Sequence, residues 1–170
     1  MFISTTSEAP EDHYANVTAM GHTVLDLGAG DFGMLGELPY PSTVEYWYMQ
    51  GADKVIAVDR DASDLSNVSS YKNIAMNVDT PWMLEWLYLK YQPTFVKVDI
   101  EGAEIHLMGV DEEIFIMPNV YAIETHNHYL YDTLYNRLHD CNYNIHTTIL
   151  LKHTPEQCKV ILAERERYDS

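Results

Sequence analysis

The chain has 170 residues, of which 10 are basic and 26 acidic, giving a formal net charge of -16 at pH 7. A chain of this length can bury about 70% of the surface that its unfolded form exposes, so we expect one domain over residues 1–170 without stabilising crosslinks. Because the acidic residues are spread along the sequence, the charge disfavours DNA or RNA, whose phosphates would be repelled.

Apolar segments alternate with helical patterns along the first half of the chain. A leading helix is predicted at residues 9–20, and the first strand at 22–27. A second helix is expected to begin near Ser42, and two further strands follow at 54–59 and 73–78. This alternation of strand and helix is typical of an α/β fold with a mainly parallel sheet.

The second half of the chain continues the alternation of strand and helix but ends in two consecutive strands. Residues 79–82 combine capping side chains with a proline, which predicts the start of a helix that continues to Tyr91. The remaining elements are strands at 94–100 and 119–125 with a short helix at 104–109 between them, a helix at 129–139, and two last strands at 143–151 and 157–163. We predict a single, doubly wound, mostly parallel Rossmann-like sheet of seven strands, closed by an antiparallel hairpin.

The segment Thr23-Val-Leu-Asp-Leu-Gly-Ala-Gly-Asp-Phe-Gly33 predicts a buried strand that runs into a glycine turn. Gly28 and Gly30 have no Cβ, so the backbone there can turn sharply and approach a ligand closely. Asp31 would repel a pyrophosphate but could accept hydrogen bonds from a cationic, amino-acid-like ligand. The turn therefore favours S-adenosylmethionine over NAD.

The second strand ends in an acid, Asp59, which is placed where a ribose with two free hydroxyls needs a bidentate acceptor. In an open α/β sheet, ligands bind beyond the carboxyl ends of the strands. We therefore expect the acids that end neighbouring strands to converge on one rim, together with the glycine turn.

A third acidic segment, Val96-Lys-Val-Asp-Ile-Glu-Gly-Ala-Glu104, resembles the hallmark segment of the FkbM-type methyltransferases. Val120-Tyr-Ala-Ile-Glu-Thr-His126 resembles the following strand of that family, which ends in a Glu-x-His element. The family is dependent on S-adenosylmethionine and mostly methylates hydroxyl oxygens. With the glycine turn and Asp59, the resemblance covers residues 22–150 and implies the same cofactor and reaction class here.

The resemblance also implies a set of cofactor contacts. The predicted set is Asp26, Gly28, Ala29, Gly30, Asp59, Asn77 and Asp79. The glycine turn would lie against the methionine part, Asp59 would bind the ribose hydroxyls, and residues 77–79 would border the adenine. For Asp26 an alternative stays open, because a carboxylate there could instead order the turn through backbone N–H groups.

Methyl transfer to oxygen needs a group that takes the acceptor's proton, and His126, Asp99 and Glu124 are the catalytic candidates. His126 is the preferred general base because its ordinary pKa lies closest to neutrality, with His128 as a rival. The same three candidates could hold a divalent ion such as magnesium. Because no compact ligand motif is present, the sequence favours a metal-independent site.

Partners and location follow from the same features. We expect a small-molecule or saccharide-like hydroxyl acceptor, no nucleic acid, no membrane, and a possible homodimer that completes the acceptor pocket. Cys141 and Cys158 have no C-x-x-C spacing, and the amino terminus has no leader pattern, so a cytoplasmic protein is expected. Two rivals remain, an NAD-dependent oxidoreductase and a non-catalytic subunit that kept the fold.

Overall fold

Seven strands form one open sheet in the computed structural model, which describes residues 18–29, 42–61, 70–150 and 159–166. The strands are β1 (Thr23–Leu27), β2 (Lys54–Asp59), β3 (Lys72–Ala75), β4 (Phe95–Val98), β5 (Val120–Thr125), β6 (Asn144–Leu150) and β7 (Lys159–Glu164). Their order in the sheet is β3-β2-β1-β4-β5-β7-β6. Neighbours from β3 to β5 pair in parallel, whereas β7 pairs antiparallel with both β5 and β6.

The helices begin where the sequence supplies caps. They are α1 (Thr43–Met49), α2 (Pro81–Tyr91), a 3-10 helix (Ala103–Gly109), α3 (Glu112–Phe115) and α4 (His128–Asp140). The side chains of Ser42 and Asn127 accept hydrogen bonds from the first-turn amides of α1 and α4, and Pro81 opens α2. These contacts satisfy amides that have no partner within a helix. Among the described residues, no helix has both the length and the apolar character needed to cross a membrane.

Alternate residues of the central strands pack into two separate cores, one on each face of the sheet. On β1, Val24 contacts the core that contains Trp47 of α1, whereas Leu25 contacts the core that contains Leu84 of α2 and Leu134 of α4. Both faces are therefore covered by helices, which explains why the central strands are nearly continuous apolar runs.

The predicted fold class is confirmed, and most element boundaries agree within two residues. The hairpin of β6 and β7 ends the sheet at one edge without closing it, and its predicted turn lies outside the described residues. The third strand is shorter than the predicted 73–78, because the chain leaves the edge of the sheet after Ala75 and Val78 packs into the α2-side core. Of the predicted leading helix, residues 9–17 lie outside the described part, and residues 18–20 are not helical.

A buried ion pair crosses from β1 to β4 in the middle of the sheet. Asp26 and Lys97 are direct cross-strand neighbours, and their side chains are 0% and 1% exposed. Lys97 Nζ lies 3.2 Å from Asp26 Oδ1, and Asp26 Oδ2 accepts hydrogen bonds from Thr43 Oγ1 and Trp47 Nε1 of α1. The carboxylate thereby attaches α1 to the sheet and neutralises the lysine.

We predict that Asp26→Ala lowers the free energy of unfolding by about 3 to 5 kcal/mol, because it leaves the Lys97 ammonium buried without its main counter-charge. Urea denaturation measures this change. Asp53→Ala, an exposed acid before β2, serves as control and should change the value by less than about 0.5 kcal/mol. Equal, small effects of the two substitutions would contradict the importance of the pair.

Candidate functional site

A cavity of about 250 Å³ opens at the carboxyl ends of β1, β2 and β4. Its wall contains Gly28 from the turn after β1, Asp59 at the end of β2, Asn77 after β3 and Asp99 after β4. In the sheet, β1 lies between β2 and β4. The chain adds β2 and β3 on one side of β1 and then β4 and β5 on the other, and the cavity lies at this change of direction. Open α/β sheets bind ligands at this kind of switch point.

The glycine turn lies very close to the strand beside it. Gly28 has a φ of +79°, and a Cβ added there would lie 1.7 Å from the carbonyl oxygen of Asp99. The amides of Gly28 and Ala29 donate to the carbonyl of Val58, at 2.8 and 3.2 Å. Both the positive φ and the contact with Asp99 therefore require glycine at position 28.

Asp59 is a wall residue of the cavity and accepts a hydrogen bond from the Asp61 amide at 2.8 Å through Oδ1. The adjacent Arg60 extends to Glu101, and their side chains form an exposed ion pair at 3.0 Å. Both members of this pair also line the cavity. The cavity wall therefore combines these charged groups with the apolar side chains of Met76, Val78 and Ile100.

The structure places the other predicted cofactor contacts in different surroundings. Asn77 lines the cavity, whereas the exposed Asp79 does not. Asp26 and Ala29 are fully buried on the α1 side of the sheet, and neither belongs to the cavity wall. Gly30 lies outside the described residues.

The three predicted catalytic residues meet at the ends of β4 and β5. Ligand atoms of Asp99, Glu124 and His126 lie within 4.8 Å of one another, and all three side chains are partly exposed. His126 Nε2 lies 3.7 Å from Asp99 Oδ1. Because Asp99 also lines the cavity, this cluster adjoins the space in which a cofactor would lie. The rival His128 is exposed at the start of α4 and is not part of the cluster.

Glu104, the last residue of the FkbM-like segment, is a further member of the site. Its side chain is fully buried and accepts hydrogen bonds from the amides of Ile100 and Gly102, at 3.1 and 2.8 Å. The same carboxylate lies 3.0 Å from His126 Nδ1. Glu104 therefore orders the loop after β4 and fixes the orientation of the imidazole ring, with Nε2 facing Asp99.

These contacts change the protonation of the cluster. The hydrogen bond to Glu104 raises the pKa of His126 from 6.5 to about 9, although burial acts in the opposite direction. Burial and the neighbouring Asp99 charge raise the pKa of Glu124 from 4.5 to about 7. At neutral pH, His126 is therefore a cation, whereas Glu124 changes its charge close to neutrality.

The cluster also has the chemistry of a cation site. Two carboxylates and one imidazole offer the oxygen and nitrogen ligands that divalent ions bind, and no second such group is found among the described residues. Glu104 would then act on the histidine as carboxylates commonly do behind metal-bound imidazoles.

Comparisons with known proteins show the fold of this chain. No protein-family model and no curated protein sequence matches it. A Streptococcus pneumoniae protein proposed to be a tRNA (m1A22) methyltransferase aligns with a TM-score of 0.64 and 15% identity, over 98% of this chain and 73% of that protein. This likeness shows a Rossmann-like α/β fold, of the kind found in that protein.

Two further similar structures contain S-adenosylmethionine or S-adenosylhomocysteine. Magnesium protoporphyrin IX methyltransferase from Synechocystis, with bound S-adenosylmethionine, aligns with a TM-score of 0.54 and 13% identity, over 91% of this chain and 74% of that enzyme. The MycE methyltransferase of mycinamycin biosynthesis, in complex with magnesium and S-adenosylhomocysteine, aligns with a TM-score of 0.55 and 14% identity. That alignment covers 94% of this chain and 50% of MycE.

The close contact at the glycine turn gives a prediction with a matched control. Gly21 has a φ of +73° and nothing within 4 Å of an added Cβ, so Gly21→Ala should cost only the backbone strain, about 1 to 2 kcal/mol. Gly28→Ala has the same strain and also displaces the Asp99 carbonyl, so we expect a further loss of about 2 kcal/mol in unfolding free energy. Urea denaturation of both variants that gave equal losses would contradict this contact.

Proposed function

We propose that this chain is a methyltransferase that uses S-adenosylmethionine. The observation that supports this most is the position of the cavity, which lies at the switch point of a methyltransferase-type sheet and has both Gly28 and Asp59 in its wall. The ribose hydroxyls would bind the Asp59 carboxylate, and the methionine part would lie along the glycine turn. The apolar wall formed by Met76, Val78 and Ile100 would contact the adenine.

The acid and imidazole cluster supports an enzymatic role. In the reaction, the acceptor oxygen forms a bond to the methyl carbon, the carbon–sulfur bond breaks, and the sulfonium becomes the neutral thioether of S-adenosylhomocysteine. The acceptor must lose its proton during or before this displacement. Glu124, with a pKa of about 7, is the group best matched to accept that proton at neutral pH.

His126 takes a different role from the one predicted by its ordinary pKa. An imidazole that is already protonated cannot accept the acceptor's proton, so His126 is better suited to donate a hydrogen bond and to stabilise negative charge on oxygen. Asp99 lines the cavity and also faces His126. It would therefore fix the distance between the methyl donor in the cavity and the acceptor beside the histidine.

The acceptor class follows from the sequence resemblance and the charge. The FkbM-like segments favour O-methylation of a small or saccharide-like hydroxyl, and a net charge of -16 disfavours an RNA acceptor such as the one proposed for the Streptococcus pneumoniae protein. The partly exposed cluster beside the cavity is open to a small acceptor.

Calorimetry tests the cofactor proposal. Wild-type protein should bind S-adenosylmethionine and not NAD, and Asp59→Ala should weaken binding by about tenfold to a hundredfold through loss of charged hydrogen bonds. Asp53→Ala, at the opposite end of β2, is the control and should bind like the wild type. Absence of S-adenosylmethionine binding to the wild type would refute the proposal, as would equal affinities for the two variants.

Turnover tests the roles in the cluster, using any hydroxylated acceptor that the wild type methylates. We predict that kcat/KM rises as pH passes about 7, because Glu124 must be deprotonated, and falls above about 9, as His126 loses its proton. Glu124→Gln should lower kcat by about a hundredfold or more and keep cofactor binding.

His128→Asn is the matched control for His126→Asn, since His128 is exposed and lies outside the cluster. Only His126→Asn should remove the alkaline limb of the profile. Repeating the assay with a chelator and with magnesium shows whether a divalent ion takes over deprotonation of the acceptor. Unchanged turnover in both Glu124→Gln and His126→Asn would leave a non-catalytic binding subunit as the better account.

A further inference from the structure

Lys97 is a charged residue in the interior of β4, where an apolar side chain would be expected. Its side chain is 1% exposed, and its neighbours along the strand, Val96 and Val98, are fully buried. The strand residues that flank the pair, Ala57 opposite Asp26 and Ala122 opposite Lys97, are both small. Lysine is almost never fully buried unless it is paired.

Besides its partner Asp26, the ammonium group of Lys97 contacts two parts of the candidate site, the glycine turn and Asp99. It donates a hydrogen bond to the Gly28 carbonyl at 2.7 Å and lies 3.4 Å from the Leu27 carbonyl. On the other side it lies 3.6 Å from Asp99 Oδ2. One buried cation therefore contacts the glycine turn and the carboxylate that joins the cavity to the acid and imidazole cluster.

Stability alone does not account for a lysine at this position. Moving two charges from water into a protein interior is costly, and replacing a buried ion pair with apolar residues of similar volume is often neutral or stabilising. The features that an apolar pair could not reproduce are the hydrogen bond to the Gly28 carbonyl and the attraction on Asp99.

We propose that Lys97 is a positioning residue that holds the glycine turn and Asp99 in one arrangement, so that the donor and acceptor sides of the site are formed together. This inference rests on the proposed methyltransferase function. The hydrogen bond keeps the Gly28 carbonyl directed toward the sheet interior, away from the methionine part of the donor. The charge attracts the Asp99 carboxylate and holds it in place beside His126.

The test compares two variants that remove the cation. Lys97→Met removes it alone, and the double variant Lys97→Met with Asp26→Asn also removes its buried counter-charge, so that no unpaired charge is left in the core. The control is Tyr88→Phe, which removes a hydroxyl that is fully buried in the α2-side core, where it hydrogen-bonds Tyr121 at 3.3 Å. Thermal unfolding, calorimetry with S-adenosylmethionine and steady-state kinetics are measured for each protein.

We expect the double variant to fold and to bind S-adenosylmethionine about tenfold more weakly than the wild type, with kcat reduced as well because Asp99 is no longer held. Tyr88→Phe should lower the melting temperature and leave both the affinity and kcat unchanged. A merely structural role would instead lower the melting temperature of all variants without any selective change in affinity.

The outcomes separate this inference from the proposed function. If the wild type binds S-adenosylmethionine and the double variant binds it equally well, the positioning role is refuted and the methyltransferase proposal stands. If the wild type does not bind, both fail. A double variant that does not fold also overturns the inference, since the lysine would then be needed for folding itself.

Discussion

The buried ion pair between Asp26 and Lys97 is the interaction on which the arrangement of the site depends. Asp26 attaches α1 to the sheet through Thr43 and Trp47, and Lys97 contacts the glycine turn and Asp99. Removing either charge alone would be costly, because the other would stay buried without its main partner. The pair therefore ties the position of the glycine turn to the packing of the core.

The sheet order gives this local interaction its functional consequence. Because β1 and β4 are neighbours and parallel, their carboxyl ends meet at one rim, where Gly28 and Asp99 are in direct contact. Asp59 enters the same rim from β2, and Glu124 and His126 enter from the end of β5. The cavity and the acid and imidazole cluster are thus adjacent, since Asp99 belongs to both.

Much of this could be predicted from local sequence patterns. Apolar runs followed by an acid indicated the positions of β1, β2, β4 and β5. Because the carboxyl ends of parallel strands meet at one rim of the sheet, the same pattern predicted that Asp59 and Asp99 lie on one rim. The hairpin of β6 and β7 followed from the change in pattern near the carboxyl terminus. Each of these predictions needs only neighbours along the chain and the known geometry of parallel sheets.

The protonation states and the role of Asp26 could not be predicted, since they depend on contacts between distant residues. A preference for His126 as the base assumed an ordinary pKa, and the hydrogen bond that His126 donates to Glu104, 22 positions away, raises that pKa to about 9. Asp26 lies one residue before the carboxyl end of β1, and its side chain lies on the α1 side of the sheet, where it pairs with Lys97. Even an exact assignment of the strands would have left these pairings open.

A crystal structure of the protein with S-adenosylhomocysteine tests the central claim most directly. The account predicts that the ligand fills the cavity, with both ribose hydroxyls hydrogen-bonded to Asp59 and the homocysteine part along Gly28. It also predicts that the sulfur faces the cluster of Asp99, Glu124 and His126. Crystals whose cavity stays without ligand at saturating concentration, or a ligand bound elsewhere on the molecule, would contradict it.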